Sequence, residues 1–246
     1  MKLRLSLVLI FSLFVTHAKQ LPLTENAEVY VLTFGPGESL NDAFGHNSFR
    51  IKDKSRGIDV VYGYGEYDFE APFFLIKFAR GKLNYLMSKH NYSDIYYNYA
   101  TRFNRTIKEQ VLNLSIEEKQ KLFDFLEYNY KPENRRYKYD FFYDNCATRI
   151  RNIVETATTS DINFPLPKRF EQKTFRGLIY EHINPNSWGS FGIDIALGSV
   201  IDKDATPREY MFLPKYVHTF FDSAKINNTK KLVEHSSIIY KKKIIK

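Results

Sequence analysis

The chain contains 246 residues, of which 43% are hydrophobic, 26% charged and 16% aromatic. These proportions are ordinary for a globular protein and exclude a disordered, collagenous or coiled-coil chain. The net charge of +8 lies at the two ends, because residues 19–224 are neutral overall while residues 225–246 carry seven Lys against one Glu. A neutral body with a basic end argues against nucleic-acid binding, which needs basic side chains across a folded face.

The N-terminus has the pattern of an export signal. Lys2 and Arg4 precede an apolar run of 11 residues, Leu5 to Val15, and the small-x-small-like cleavage site Thr16-His17-Ala18 follows. This pattern predicts a signal peptide over residues 1–18. No later stretch approaches 18 apolar residues, so we expect an exported protein with no transmembrane segment in the mature chain.

The length of the remaining chain suits one catalytic or binding domain over residues 19–224. Residues 225–246 are interpreted as a basic tail, either solvated or in peripheral contact with a membrane surface.

A β-hairpin is predicted early in the chain. A β-rich run over residues 29–34 ends at the turn Gly35-Pro-Gly37, and a strand then begins at His46. If the hairpin loop is centred near Ser55–Arg56, the returning strand over residues 58–64 brings His46 opposite Gly65. Short helices are predicted on either side of this hairpin, over residues 40–44 and 72–79.

Later elements alternate between strands and helices. The sequence predicts strands over residues 83–87 and, in part, 106–114, a helix opened by the capping box Ser115–Glu118, an extended aromatic segment over 137–143, a helix beginning at Cys146, and helices over 170–183 and 207–218, the last interrupted at Pro214. We interpret residues 156–224 as a helical annex on the same core.

Cys146 is the one cysteine of the chain, so an exported form has no intramolecular disulfide. A thiol at a helix N-terminus beside an imidazolium can have its pKa lowered to roughly 3.5–7.5, which makes it a nucleophile. A buried structural cysteine is an equally good interpretation of this placement alone.

Among the six histidines, His46 is the best candidate for a general base, because it opens a strand and is held rigidly there. A lone strand histidine is more often structural, but its pairing with Cys146 changes the balance. Papain-like enzymes place a Cys at a helix N-terminus against a strand that carries the base, and circularly permuted members have the His strand first. The sequence therefore predicts an α+β fold with a circularly permuted papain-like core, an antiparallel sheet packed on the Cys-bearing helix.

Other site chemistries fit less well. One Cys with scattered His does not match zinc-ligand spacing, and no Gly-x-Ser-x-Gly elbow, Gly-x-Gly-x-x-Gly loop or Walker loop is present. We expect no metal and no cofactor.

Several segments resemble a known family. They are Thr33-Phe-Gly-Pro-Gly-Glu-Ser-Leu-Asn-Asp-Ala-Phe-Gly-His-Asn-Ser-Phe-Arg-Ile51, Gly57-Ile-Asp-Val-Val-Tyr-Gly-Tyr-Gly65, Asp140-Phe-Phe-Tyr-Asp-Asn-Cys-Ala-Thr-Arg-Ile-Arg-Asn152 and Ala205-Thr-Pro-Arg-Glu-Tyr-Met-Phe-Leu-Pro-Lys-Tyr216. Together they resemble the Lnb N-terminal periplasmic domain family, long catalogued as a domain of unknown function.

The resemblance implies a periplasmic location and a permuted papain-like site with His46 and Cys146 as its catalytic pair. It also implies a lipoprotein N-acyltransferase, which moves a fatty acyl chain onto the α-amine of a lipoprotein's N-terminal cysteine. Gly63 stands where the resemblance leads us to expect Asn. The role of orienting the base then falls to Tyr64, Asp68 or a backbone carbonyl, while the Asn145 side chain is a candidate oxyanion donor beside the Cys146 N–H.

Three functions remain open from the sequence. The first is a thiol acyltransferase that works through an acyl-thioester on a lipoprotein or phospholipid-like acyl substrate. The second is a cysteine peptidase or amidase acting on cell-wall peptide, and the third is a non-catalytic module that binds envelope lipid or lipoprotein. An acyl chain needs an apolar channel that leads to the thiol, whereas a peptide needs an open polar cleft.

Overall fold

The computed structural model describes residues 22–39, 42–68, 72–73, 84–167 and 170–244. The signal peptide predicted for residues 1–18 lies outside the described residues. So do Leu40 and Asn41 of the first predicted short helix, and residues 74–79 of the second.

An antiparallel sheet of seven strands forms the centre of the molecule. The strands of the described residues are β1 (Glu28–Phe34), β2 (His46–Asp53), β3 (Ile58–Tyr67), β4 (Asn84–Asn91), β5 (Ile107–Leu112), β6 (Arg136–Lys138), β7 (Ile162–Asn163), β8 (Lys225–Ile226), β9 (Lys230–Lys231) and β10 (Val233–Tyr240). The large sheet has the order β10-β5-β1-β2-β3-β4-β6, and β7, β8 and β9 form a small second sheet.

Helices cover both faces of the large sheet. They are α1 (Tyr92–Tyr96), which continues as a π-helical segment (Tyr97–Arg102), α2 (Ile116–Tyr130), α3 (Cys146–Ala157), α4 (Phe175–Tyr180), α5 (Trp188–Leu197), α6 (Pro207–Tyr210) and α7 (Pro214–Ser223), with 3-10 turns at Lys54–Arg56 and Gly198–Asp202. The fold is therefore α+β, as predicted.

The main core lies between one sheet face and the helices α2, α3 and α7, which also contact one another through α3. In α3, the side chains of Ala147, Ile150 and Val154 are fully buried, which is the spacing of one face of a helix. A smaller core lies on the opposite face, where Leu32, Phe34 and other side chains pack near α1. The sheet thus packs on the helix that begins at Cys146.

The β2–β3 hairpin has the predicted register. Its pairs run from Asp53↔Ile58 to Ser48↔Gly63. When this register is continued by two residues, His46 lies level with Gly65, as predicted. The Asp53 carboxylate caps the turn by accepting hydrogen bonds from the backbone N–H groups of Ser55 and Arg56. Beyond Ser48↔Gly63 the two strands separate, because β3 contains a bulge at Gly65, whose φ is +105°.

The C-terminal segment is not the tail that its charge suggested. Residues 225–240 form β8, β9 and β10, and β10 pairs with β5 as an edge strand of the large sheet. Val233 is buried there, and Ile239 and Tyr240 pack on the smaller core. Aliphatic and aromatic side chains favour a strand, and lysines at its ends are compatible with an edge position.

Two other predictions changed in extent. The helix expected over residues 170–183 is limited to α4, because Thr174 caps it by accepting a hydrogen bond from the Gly177 N–H. The extended segment over 137–143 continues β6 only to Lys138 and then turns, with Asp140 paired to Asp144. Residues 156–224 are mostly helical, and Phe175, Leu178 and Val217 are among their side chains in the main core.

Candidate active site

Asn145 determines where helix α3 begins. Its Oδ1 accepts hydrogen bonds from the N–H groups of Ala147 (2.8 Å) and Thr148 (2.9 Å), while the Thr148 hydroxyl accepts from the Asn145 N–H (2.9 Å). This reciprocal cap satisfies N–H groups that a helix end otherwise leaves unpaired. The thiol of Cys146 is thereby placed in the first turn, as predicted.

The side-chain amide of Asn145 is not available as an oxyanion donor. Its Nδ2 donates one hydrogen to the Phe141 carbonyl (2.6 Å) and the other to the Phe212 carbonyl (2.8 Å). A primary amide has two donors, and both are used. Asn145 is 3% exposed, and its role is to hold α3 against the neighbouring loops.

His46 opens β2 directly after Gly45, whose φ is +79°. The imidazole stacks on Phe34, its partner across the β1–β2 ladder, with ring centroids 6.2 Å apart. Its Nε2 lies 3.5 Å from the point that a Cβ on Gly63 would occupy. The lack of a side chain at Gly63 thus makes room for the imidazole.

Cys146 and His46 line one cavity of about 500 Å³. The cavity lies where β2 and β3 separate, so it receives side chains from both faces of the sheet. Its wall has an aromatic and aliphatic part (Phe44, Val61, Tyr64, Tyr67, Tyr85, Ile95, Tyr99, Tyr139, Phe141, Ile193, Phe212, Leu213, Pro214) and a polar part (Asp42, Ser48, Glu66, Ser88, His90, Asn145).

The thiol lies against the strand that carries His46. The backbone N–H groups of Asn47, Ala147 and Cys146 itself lie near the Cys146 Sγ and favour its ionised form. Asn47 is the residue after His46, and its side chain is anchored by donating to the Thr33 hydroxyl at 2.8 Å. The first turn of α3 therefore meets the start of β2, and the two predicted catalytic residues come together although 100 positions separate them in the chain.

The two groups are neutral at rest. Burial raises the pKa of the Cys146 thiol to about 11, against the opposing effect of the three N–H donors and of Arg105. Burial and the positive charge of Arg105 lower the pKa of His46 to about 4. The expectation of a lowered thiol pKa is therefore wrong for this resting structure, because loss of water around the sulfur outweighs the helix N-terminus.

This pKa predicts slow alkylation of Cys146 at neutral pH. At a pKa of about 11, roughly 10⁻⁴ of the thiol is ionised at pH 7. We expect the iodoacetamide rate, followed by intact-mass spectrometry, to rise about tenfold per pH unit between pH 7 and pH 10. The urea-unfolded chain is the control, and its rate should level off above roughly pH 8.5. A folded rate that is already at its plateau at pH 7 contradicts a neutral thiol.

Tyr64 and Asp68 have other partners than His46. Tyr64 is buried in the main core, where the Arg149 guanidinium lies 5.0 Å from its ring centroid. The Asp68 carboxylate is buried and accepts a hydrogen bond from Arg136 Nε at 2.9 Å. Asp68 is not among the residues that line the cavity.

Four polar residues near the site were missed. Glu66, Ser88 and His90 line the cavity, and buried Arg105 donates to the Gly35 carbonyl (2.7 Å) and to Asp42 (3.0 Å). Gly63 inside the predicted strand and Gly65 directly after it were the available signal for Glu66, since a strand glycine often marks a bulge. Ser88 and His90 could not be found, because the strand was predicted to end at residue 87.

Within the described residues, no group of three or more His, Cys, Asp or Glu side chains is arranged to hold a metal ion.

Comparison with known families now bears on the site. The model of the Lnb N-terminal periplasmic domain matches residues 16–178. The chain belongs to this family. The matched region contains β1 to β6 and α1 to α3, and hence both His46 and Cys146. No curated protein and no solved structure matches the chain.

The family is a periplasmic one, in agreement with the predicted export. In the part of the chain that the structure describes, none of the helices combines the length and the apolar character needed to span a bilayer. The signal peptide at residues 1–18 stays a prediction.

Proposed function

We propose that the protein is a periplasmic thiol acyltransferase with a circularly permuted papain-like site, in which Cys146 is the nucleophile and His46 the general base. The observation that carries the proposal is the shared cavity. Thiol and imidazole line the same space, and the sulfur lies near the backbone N–H of Asn47, the residue after His46.

The reaction begins from a neutral pair. Since His46 Nε2 lies at Gly63, Nδ1 is the nitrogen that takes the thiol proton as Sγ attacks the carbonyl carbon of an acyl ester. The Cys146 N–H stabilises the resulting oxyanion. Collapse breaks the bond to the ester oxygen, and His46 returns the proton to the departing alcohol.

The second half transfers the acyl group. An amine attacks the thioester carbonyl, a C–N bond forms and the C–S bond breaks. His46 takes the proton that the amine loses and restores the neutral thiol. An attacking lipoprotein α-amine yields an N-acylated lipoprotein, while water in its place yields a free fatty acid.

The distribution of side chains favours an acyl chain over a peptide. Near Asn145, the rings of Phe44, Phe141 and Phe212 pack edge to face at 5.1 and 5.6 Å along the cavity wall. A cavity of about 500 Å³ is of the size that holds a small apolar ligand. The polar side chains Ser48, Ser88 and Glu66 are on the strands around Gly63 instead.

The test is detection of the acyl-enzyme. We expect intact-mass spectrometry after incubation with phospholipid micelles to show the mass of one fatty acyl group, absent from Cys146→Ala and released by neutral hydroxylamine. Addition of a diacylated lipopeptide with a free N-terminal amine should discharge the adduct and yield the N-acyl product. Cleavage of cell-wall peptide without an adduct would instead identify an amidase, and lipid retained without an adduct would identify a binding module.

A further inference from the structure

The bulge at Gly65 changes the sheet face on which Glu66 lies. Along the β3–β4 ladder, Gly63 pairs with Ser88 and Tyr64 with Met87, but the next pair is Glu66 with Leu86. Side chains alternate between faces along a strand, so in a regular strand Glu66 would share the face of Tyr64. The extra residue moves Glu66 to the face of Gly63 and Ser88, which is also the face of His90.

Three polar atoms surround the space that Gly63 leaves open. A Cβ at this position would lie 3.1 Å from Ser88 Oγ, 3.4 Å from Ser48 Oγ and 3.5 Å from His46 Nε2. These atoms come from the two strands on either side of β3, with His46 and Ser48 on β2 and Ser88 on β4. The imidazole of His46 therefore faces a small polar gap on its Nε2 side.

Glu66 is anchored at the edge of this gap. Its Oε1 lies 2.9 Å from His90 Nε2, and the Ser88 hydroxyl lies beside the carboxylate. Burial raises the pKa of Glu66, but His90 and Ser88 together bring it below its ordinary value, so the carboxylate is charged at neutral pH. A serine whose hydrogen is committed to a carboxylate keeps its lone pairs free to accept from another donor.

We infer that Glu66 is a positioning residue of the site, which acts through Ser88 to hold His46 with a proton on Nε2 and with Nδ1 free for the thiol. Ser88 is the link, because its hydroxyl lies beside the Glu66 carboxylate and borders the gap that His46 Nε2 faces. Glu66 and Ser88 together take the orienting role that the sequence assigned to Tyr64 or Asp68. Its catalytic consequence rests on the proposed function, whereas the tautomer is a property of the resting protein.

The charges around the imidazole shift the pKa of His46 in opposite directions. Arg105 lowers the pKa of His46, while Glu66 and Asp42 raise it. Glu66 also raises the pKa of His90, with Asp94 adding to this effect. As His46 takes the thiol proton it becomes a buried cation, and the Glu66 charge offsets part of the repulsion from Arg105.

The tautomer is measured directly by ¹⁵N NMR of His46 at pH 7. We expect the wild type to hold its proton on Nε2, and Ser88→Ala and Glu66→Gln to show a mixture of the two tautomers. The charge-matched control is Glu109→Gln, which removes a carboxylate paired with Arg50. The hydroxyl-matched control is Ser48→Ala, and both controls should keep the wild-type tautomer. An unchanged tautomer in Ser88→Ala and Glu66→Gln, or an equal change in Ser48→Ala, overturns the inference.

Kinetics separates this inference from the proposed function. Glu66→Gln and Ser88→Ala should lower kcat by about 10- to 10²-fold with little change in KM, since orientation of the base acts on the chemical step. Activity that survives in Cys146→Ala would defeat the thiol mechanism while leaving the tautomer result intact. An unchanged tautomer with a Cys146-dependent acyl-enzyme would defeat the role of Glu66 alone.

Discussion

Replacing Cys146 with Ser is expected to lower the rate of acyl transfer by at least about 10²-fold, and replacing His46 with Gln should have an effect of the same order. A serine hydroxyl is far less acidic than a thiol. An imidazole whose pKa is about 4 is too weak a base to activate it. Loss of His46 leaves a thiol with a pKa of about 11 and no group to take its proton.

The measurement is the initial rate of N-acylation of a lipopeptide from phospholipid micelles, together with the yield of acyl-enzyme. His235→Gln is the matched control, because His235 is exposed on the edge strand β10, three strands away from β2. It should keep the wild-type rate. Full activity in Cys146→Ser would refute the mechanism, and equal losses in His46→Gln and His235→Gln would remove His46 from it.

Gly45→Ala is expected to reduce both stability and activity. Gly45 has φ of +79°, a conformation that costs a non-glycine residue about 1–2 kcal/mol. An added Cβ would also come within 2.6 Å of the Phe34 carbonyl oxygen, and such overpacking costs a further ~1–3 kcal/mol. To relieve this contact, either β1 or the neighbouring residue His46 has to move.

Gly57→Ala isolates the conformational part of this effect. Gly57 has φ of +66° in the turn between β2 and β3, and no atom lies within 4 Å of its added Cβ. Thermal unfolding should show a drop of about 2–4 °C per kcal/mol in each variant, with the larger drop in Gly45→Ala. Only Gly45→Ala should also lose acyl transfer. A Gly45→Ala protein as active and as stable as Gly57→Ala would show that this contact does not position the base.

The neutral state of Cys146 and His46 connects these predictions. A thiol that stays protonated in a buried cavity is protected from adventitious oxidation, which attacks the thiolate. In the proposed mechanism it becomes nucleophilic only when the neighbouring imidazole takes its proton. The cost is a base that has to accept a proton in a place where burial and Arg105 disfavour the charge, and the Glu66 carboxylate is the group we propose to offset it.

Local patterns in the sequence were sufficient for several elements. The register of the β2–β3 hairpin followed from the turn at Asp53–Gly57, and α2 begins at its predicted capping box. The first turn of α3 was predicted at Cys146, because a cap and an apolar repeat are features of neighbouring residues. The choice of His46 and Cys146 came from their local settings together with a family resemblance.

What the tertiary structure alone decided depends on contacts between distant segments. The pKa of the Cys146 thiol is raised and not lowered as the sequence predicted, because the thiol is buried. This burial results from packing by α3, β2 and the loops around them, which no local motif indicates. The sequence predicted Asn145 as a candidate oxyanion donor, but only folding brings the Phe212 carbonyl to its amide. Glu66 faces His46 because one bulge shifts the alternation of β3, and β10 joins the sheet because β5 offers an unpaired edge. The sequence by itself determined the local elements and the two chemical groups, whereas the fold determined their burial and their neighbours, because both depend on packing between distant segments.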